Sequence, residues 1–185
     1  MCAEPGKKPG GVVHVTDPLA WFLTWSTYGV WLPGDERGWK EYGHGWQFPA
    51  PALELECQAH MSEDACVLLP EQRHVVEVQI AETCTFRQWH LHAVNCRSNH
   101  IHVVVSVPVD VKSIKIRDDL KAWATRCLKS RFDPARENWW GERGSRRAVW
   151  NEAHLEAVIA YTRTGQDGKS ATHPRVDELG EMHPR

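Results

Sequence analysis

A chain of 185 residues, of which 42% are apolar and 25% charged, has the size and composition of one globular domain that buries its own core. It contains no apolar run of about eighteen residues and no signal-peptide pattern, so we expect neither a membrane protein nor a secreted one. The six cysteines are scattered without a Cys-x-x-Cys pair, which favours free thiols in the cytoplasm over a zinc ribbon or a disulfide scaffold.

The net charge of −2 hides an uneven distribution of charged residues along the chain. Residues 112–147 include eleven Lys and Arg but only five Asp and Glu. A basic segment of this kind can neutralise DNA phosphates, and a solvated helix face accounts for it equally well. The basic side chains of this segment that we select as candidate DNA contacts are Lys121, Arg126, Arg143, Arg146 and Arg147.

Ten tryptophans are an unusually large number for a chain of this length. Trp21, Trp25 and Trp123 fall at apolar positions of predicted elements, where we expect them in the core. Other tryptophans stand among Gly, Arg and Pro, where they either pack within loops or stack on unpaired bases, as in proteins that bind single strands. This second group comprises Trp31, Trp39, Trp46, Trp139 and Trp140.

The first half of the chain predicts one strand and two helices. Residues 19–28 alternate bulky apolar and small polar side chains, which indicates a strand. Residues 29–51 predict a long irregular stretch, and a loop of this length within a domain is usually functional or disordered. A Ser-Glu pair at residues 62–63 predicts the cap of a short helix. A longer helix is expected from Pro70 to about residue 87. Its predicted apolar positions are Leu69, Val76, Ile80 and Cys84.

The second half predicts a hairpin, two helices and a short strand. A tight turn at residues 97–99 joins the two hairpin strands. The buried stripe of the first helix is expected to be Leu120, Trp123, Ala124, Cys127 and Leu128, with its basic residues outside. The predicted ranges are 89–96 and 99–107 for the hairpin strands, 114–132 for this helix, 145–151 for the last strand and 152–164 for the last helix, which Gly165 ends.

The resulting order β-α-β-β-α-β is that of a ferredoxin-like split β-α-β fold in the α+β class. We expect an antiparallel sheet with helices on one face, which leaves the other face for a site. The last helix lies at the C-terminal end of this predicted domain. The domain is predicted over residues 19–168, with a flexible N-terminal segment at 1–18 and a flexible C-terminal tail at 169–185.

His100 and His102 are the strongest candidate metal ligands in the sequence. In a strand their side chains share one face, and the apolar residues Ile101, Val103 and Val105 form the other. Two neutral imidazoles side by side can bind one cation and leave coordination positions open. His-x-His also occurs at residues 90–92, so the spacing alone does not choose between the two pairs.

Four segments, taken together and in this order, resemble the IS200-type tyrosine transposases, and most of all their REP-associated branch. The segments are FLTWSTYGVWL at residues 22–32, GDERG at 34–38, NHIHVVV at 99–105 and AYTRTGQ at 160–166. The resemblance extends over about residues 19–168, and its specificity comes from the combination of the four segments.

This resemblance implies a metal-dependent endonuclease and strand transferase of the HUH class that acts on single-stranded DNA. It implies that His100 and His102 bind Mg²⁺ or Mn²⁺ and that Tyr161 is the nucleophile of a 5′-phosphotyrosine intermediate. Tyr161 lies at the edge of the apolar stripe of the last helix, where its hydroxyl can face outward. Gln166 is the implied third metal ligand, five positions after Tyr161, where the family spacing is four. Arg37, in the second segment, joins the candidate DNA contacts.

The implied partner is single-stranded or hairpin DNA from repeat elements, bound by a monomer or a homodimer without any membrane. The implied location is the bacterial cytoplasm, with the nucleoid as the site of action. Two other functions stay open at this point. The first is a catalytically inactive, domesticated protein that only binds DNA hairpins. The second is a nucleic-acid phosphoesterase that uses both His-x-His pairs, which predicts activity without a metal. A purely structural domain with surface histidines is a further possibility.

Overall fold

The computed structural model describes residues 17–41 and 43–164. The predicted ligand Gln166, the C-terminal tail and nearly all of the N-terminal segment therefore lie outside the described residues. The strands are β1 (Ala20–Ser26), β2 (Trp39–Glu41), β3 (Gly45–Gln47), β4 (His90–Cys96), β5 (His100–Ser106) and β6 (Ser145–Val149). The helices are α1 (Pro51–Ala59), α2 (Pro70–Phe86), α3 (Ser113–Arg131) and α4 (Glu152–Thr164).

The main sheet has four strands in the order β4-β5-β1-β6, and each neighbouring pair is antiparallel. The strands and helices that build it follow the order β1-α2-β4-β5-α3-β6, with the two connections crossing between non-adjacent strands. This arrangement confirms the predicted α+β class and the ferredoxin-like split β-α-β topology.

The first face of the sheet packs against α2 and α3. Ile101, Val103 and Val105 of β5 are fully buried there, as their alternation along the strand predicts. Leu23 and Trp25 of β1 lie beside them in the same core. The helices contribute Val76, Ile80, Ile116, Leu120, Ala124 and Leu128.

The second face of the sheet carries α4. Val158 of this helix packs against Phe22 and Val104, with Leu155 and Ile159 around them. We expected this whole face to be left for the site, whereas the structure places α4 across part of it. The reason is that the apolar stripe of α4 needs an apolar surface, and Phe22 and Val104, with Ala20, Ala93 and Val149 in the same cluster, provide one on this face. The site therefore lies in the space beside α4.

The segment between β1 and α2 differs from the prediction. The stretch that was expected to be irregular contains the β2–β3 ribbon. Helix α1 begins at its last residue, Pro51. Proline suits the first turn of a helix, because its missing N–H is not needed there. The helix predicted after the Ser-Glu pair at residues 62–63 does not form. The carboxylate of Glu63 instead accepts hydrogen bonds from the backbone N–H groups of Glu137 and Asn138, each at 2.8 Å.

Two burial predictions were also wrong. Trp123 was expected in the core and Leu69 on the apolar face of its helix, but they are 39% and 59% exposed. Trp139, one of the loop tryptophans, is only 3% exposed because the loop before β6 folds back onto the first face of the sheet, which agrees with packing within a loop rather than stacking on unpaired bases.

Two further expectations concern the whole chain. No helix within residues 17–41 and 43–164 is both long enough and apolar enough to cross a bilayer. Every cysteine in these ranges is a free thiol, as predicted, and burial raises the pKa of Cys84 to about 12. Cys2 lies outside the described residues.

Candidate active site

His100 and His102 lie on the second face of the sheet, beside α4. In the β1–β5 register, Ser26 is opposite His100 and Thr24 is opposite His102. The two imidazole rings are nearly perpendicular, at 86°, with their centroids 4.8 Å apart. Both histidines lie on one face of β5, as predicted, and a single ligand or ion can therefore reach both rings.

The ring of His102 is held on two sides. The Nδ1 atom lies 2.9 Å from the hydroxyl oxygen of Thr24 on the neighbouring strand. The ring of Phe22 stacks against it, with centroids 5.6 Å apart and planes 14° from parallel. Because His102 is only 2% exposed, these contacts leave its ring little freedom to rotate.

The ring of His100 is oriented by the residue before it. The Nδ1 atom of His100 lies 2.6 Å from the side-chain oxygen of Asn99. An amide oxygen only accepts hydrogen bonds, so the histidine ring donates from Nδ1 and carries its lone pair on Nε2. This tautomer is the one that binds a metal through Nε2, and such contacts to the other ring nitrogen are typical around histidine ligands.

Tyr161 of α4 lies beside His102, which in turn contacts His100. Its ring meets that of His102 edge-on at a centroid distance of 5.7 Å and that of Phe22 at 6.1 Å. Burial raises the pKa of the Tyr161 phenol, and the positive charge of Arg147 offsets part of this effect. The phenol is therefore protonated at neutral pH and must lose its proton if it attacks.

The last turn of α4 is tied to β4 by two hydrogen bonds. The Asn95 side chain donates through Nδ2 to the backbone carbonyl of Thr162 at 2.8 Å. The guanidinium of Arg163 donates to the backbone carbonyl of His92 at 3.0 Å. Since Asn95 is also opposite His102 in the β4–β5 register, one row of the sheet positions both the histidine and the helix turn next to Tyr161.

The donor set fits a divalent cation as two of its ligands. His100 and His102 present two imidazoles at a separation that one ion can bridge. Within residues 17–41 and 43–164, no group of three His, Cys, Asp or Glu side chains comes together to hold a metal. A third protein ligand of one of these types would therefore come from outside these ranges, and the predicted amide ligand Gln166 lies there too.

Among the predicted DNA contacts, Arg147 lies at this site, because its register places it opposite Phe22. Arg143 lies in the loop that leads into β6 and is exposed. Arg146 faces the opposite side of the sheet and donates to the hydroxyl of Ser113 at 3.3 Å. The structure therefore separates the two neighbouring arginines onto opposite faces.

The other predicted DNA contacts are engaged within the protein. Arg37 donates through Nε to the carboxylate of Asp35 at 2.7 Å, and this contact lowers the pKa of the Asp35 carboxyl. Arg126 lies over the ring of Trp123 on the outer side of α3, with its guanidinium carbon 4.7 Å from the ring centroid. Neither side chain joins the histidines.

Lys121 is also engaged within the protein. It donates to the backbone carbonyls of Gly141 at 2.7 Å and of Arg143 at 3.1 Å. Burial of its ammonium lowers the pKa of Lys121 to about 8. The contacts give this residue the local role of holding the loop before β6 against α3.

The second histidine pair lies away from the first. The rings of His90 and His92 are 4.5 Å apart, but His90 is opposite Ser106, four residues beyond His102 on β5. Four residues of strand span about 13 Å. The phosphoesterase hypothesis needs both pairs at one phosphate, so this separation argues against it.

The residues that orient the site were not among the predicted site residues. Thr24 was recognised on the polar face of its strand, but its bond to His102 depends on the strand pairing. Asn99 was noted only as the start of the histidine motif. Asn95 was not selected at all, although an amide within a strand that is otherwise mostly apolar was a usable signal.

The family model described as "Transposase IS200 like" matches residues 65–161, which is more than half of the chain and includes both histidines and the tyrosine. A comparison with curated proteins finds no match.

Two solved structures are similar to this chain. One is a candidate transposase from Deinococcus radiodurans R1, which is 17% identical, with 83% of this chain and 92% of that chain covered and a TM-score of 0.49. The other is a REP-associated tyrosine transposase bound to a REP hairpin, which is 12% identical, with 86% of this chain and 70% of that chain covered and a TM-score of 0.48. On the strength of the family match, the chain belongs to the IS200-like transposases, a family whose function is DNA transposition.

Proposed function

We propose that this transposase cleaves and rejoins single-stranded DNA through Tyr161. The observation that supports this proposal is the meeting of His100, His102 and Tyr161 on one face of the sheet. A tyrosine beside two histidines combines a nucleophile with groups that can hold a phosphate-bound cation.

In the proposed reaction, the phenol oxygen of Tyr161 attacks the phosphorus of the scissile phosphodiester. The bond from phosphorus to the 3′ oxygen breaks, so the products are a 5′-phosphotyrosine and a free 3′-hydroxyl, which takes up the phenol proton. One phosphate ester replaces another. A second 3′-hydroxyl can therefore reverse the step and join a new strand without ATP.

The chain's own residues prepare this step by positioning its parts. Asn95 holds the last turn of α4, so that the phenol ring stays against His102 and Phe22. Thr24 and Asn99 each contact the Nδ1 atom of one histidine and orient the two rings. Alignment of the nucleophile before it attacks removes part of the entropic barrier to reaction.

His100, His102 and Gln166 are the residues that would hold Mg²⁺ or Mn²⁺ in this proposal. A bound divalent cation would polarise the scissile phosphate and stabilise negative charge on its oxygens. The proposed substrate is single-stranded or hairpin DNA from repeat elements. In this proposal the protein binds the DNA as a monomer or a homodimer. It is a cytoplasmic protein that acts at the nucleoid.

The direct test is covalent capture of the DNA. The full-length protein is incubated with labelled hairpin oligonucleotides and Mn²⁺, and adducts are separated under denaturing conditions. We expect an adduct with the wild type, none with Tyr161→Phe and none in EDTA. Tyr28→Phe is the matched control, since the Tyr28 hydroxyl bonds to Ser62 on another part of the surface. Tight hairpin binding without any wild-type adduct would instead support the inactive binding protein.

A further inference from the structure

Arg147 shares the face of the sheet on which the site lies. In the β1–β6 register it is directly opposite Phe22. Directly opposite residues of antiparallel strands project to the same side. The Phe22 ring in turn contacts the rings of both His102 and Tyr161. The pairing of the strands therefore brings a guanidinium to the rim of the proposed reaction centre.

Arg146, the residue before Arg147, lies on the other face of the sheet. Arg146 is opposite Leu23, whose side chain is buried in the core under α2 and α3. Arg146 reaches the start of α3 and bonds to Ser113. Two adjacent arginines of equal charge thus differ in the face that they occupy, and this difference provides a matched pair for experiments.

The charge of Arg147 is not used by another part of the described chain. Arg37, Arg87 and Arg117 each form an ion pair with an aspartate. Arg147 is exposed and forms no ion pair with any residue in the ranges 17–41 and 43–164. Its electrostatic field nevertheless reaches the Tyr161 hydroxyl. A guanidinium without an acidic partner is suited to bind the two oxygens of a phosphate.

We propose that Arg147 is a catalytic residue that contacts the nonbridging oxygens of the scissile phosphate. This inference rests on the proposed function. As the bond from Tyr161 to phosphorus forms and the bond to the 3′ oxygen breaks, negative charge grows on the nonbridging oxygens. The guanidinium donates hydrogen bonds to that charge. It therefore stabilises the transition state more than it stabilises bound DNA.

The first experiment separates catalysis from binding. Single-turnover cleavage at saturating hairpin DNA and DNA affinity are measured for wild type, Arg147→Ala, Arg147→Lys and Arg146→Ala. We expect Arg147→Ala to slow cleavage by about 100-fold, since this is the usual effect of losing one donor to a developing oxyanion. Its DNA affinity should fall less than its cleavage rate. Arg147→Lys should recover part of the rate, and Arg146→Ala should slow cleavage far less than Arg147→Ala does.

The second experiment tests contact with the reacting phosphate itself. A methylphosphonate at the scissile position carries no negative charge, so a guanidinium has less charge to stabilise there. We expect the ratio of wild-type to Arg147→Ala cleavage rates to fall at least tenfold on this substrate relative to the normal phosphodiester. A rate ratio that is equal on the two substrates would overturn the inference.

Two further outcomes would overturn the catalytic role of Arg147. Loss of DNA affinity alone, with an unchanged rate at saturation, would make Arg147 only a DNA contact and would overturn the catalytic role. Equal losses in Arg146→Ala and Arg147→Ala would indicate a general effect of charge and have the same consequence. If the wild type cleaves none of the hairpins, the proposed function fails before Arg147 is examined, so the two failures are distinguishable.

Discussion

The side chain of Asn95 donates a hydrogen bond of 2.8 Å to the backbone carbonyl of Thr162, the residue that follows Tyr161. Asn95 belongs to the central row of the sheet, in which it is opposite His102. The bond therefore connects the strand pairing that positions one candidate metal ligand with the helix turn that presents the candidate nucleophile. A substitution at Asn95 therefore tests the placement of Tyr161 against His102 without altering either residue.

The first prediction concerns this contact. Asn95→Ala should slow formation of the tyrosine–DNA adduct because the last turn of α4 loses one of its two hydrogen bonds to β4. The free energy of unfolding should fall by about 0.5–1.5 kcal/mol, as for one hydrogen bond. Adduct formation and thermal unfolding are measured on the same samples. Thr85→Ala, which removes a bond of 3.0 Å on α2, is the control and should leave the adduct yield unchanged. An Asn95→Ala protein with the wild-type rate would contradict the prediction.

The second prediction concerns the orientation of His102. Thr24→Val keeps the shape of the side chain but removes the hydroxyl that contacts Nδ1 at 2.9 Å. If His102 binds a cation, the affinity for Mn²⁺ should fall by about 10-fold, because the residues behind a ligand fix its orientation. Calorimetric titration with Mn²⁺ measures this without DNA. Thr83→Val is the control, since the Thr83 hydroxyl bonds within α2 to the carbonyl of Gln79. Equal Mn²⁺ affinity in Thr24→Val and wild type would argue against this role.

The third prediction concerns pH and Lys121. Burial lowers the pKa of Lys121 to about 8, with a further lowering by Arg117 and an opposing effect of Asp118 and Glu142. Between pH 8 and the ordinary value of 10.5, the unfolded chain binds more protons at this residue than the folded chain does. Its contribution to the free energy of unfolding should therefore rise with pH across this interval and stay constant below it.

Denaturation at several pH values measures this contribution. Lys121→Met should lose the rise that Lys121 causes, whereas Lys115→Met, a change at a more exposed lysine on the same helix, should keep it. The same pH dependence in wild type and Lys121→Met would show that another group is responsible.

The fourth prediction concerns the glycines that bring the loop before β6 close to β1. A Cβ atom at Gly144 would lie 2.6 Å from the backbone oxygen of Thr24 and 2.9 Å from the Cβ atom of Trp25. At Gly141 the nearest atom is the hydroxyl oxygen of Ser26, at 2.7 Å, which can rotate away. Gly144→Ala should therefore lower the free energy of unfolding by about 1–3 kcal/mol, as overpacking does, and Gly141→Ala by less. Chemical denaturation of the two variants compares them, and the reverse order would refute this explanation.

Much of the fold was predictable because it follows from local periodicity. The alternation from His100 to Ser106 determined both the strand and the shared face of the two histidines, and the structure confirms this. The spacing of Leu155, Val158 and Ile159 likewise predicted α4 at its observed position. A period of two or of 3.6 residues in the apolar positions is visible in the local sequence, so strands and helices can be predicted without knowing the distant contacts.

The tertiary structure alone decided what each exposed or polar side chain does. Arg146 and Arg147 are equivalent basic residues in the sequence, and the pairing of β6 with β1 sends them to opposite faces. Lys121 was predicted only as a DNA contact, and the fold brings three loop carbonyls to its ammonium. Asn95 donates its hydrogen bond to Thr162 of α4, a residue 67 positions away in the sequence. Such partners depend on which distant segments meet, and the apolar periodicity that forms each element carries no information about that meeting.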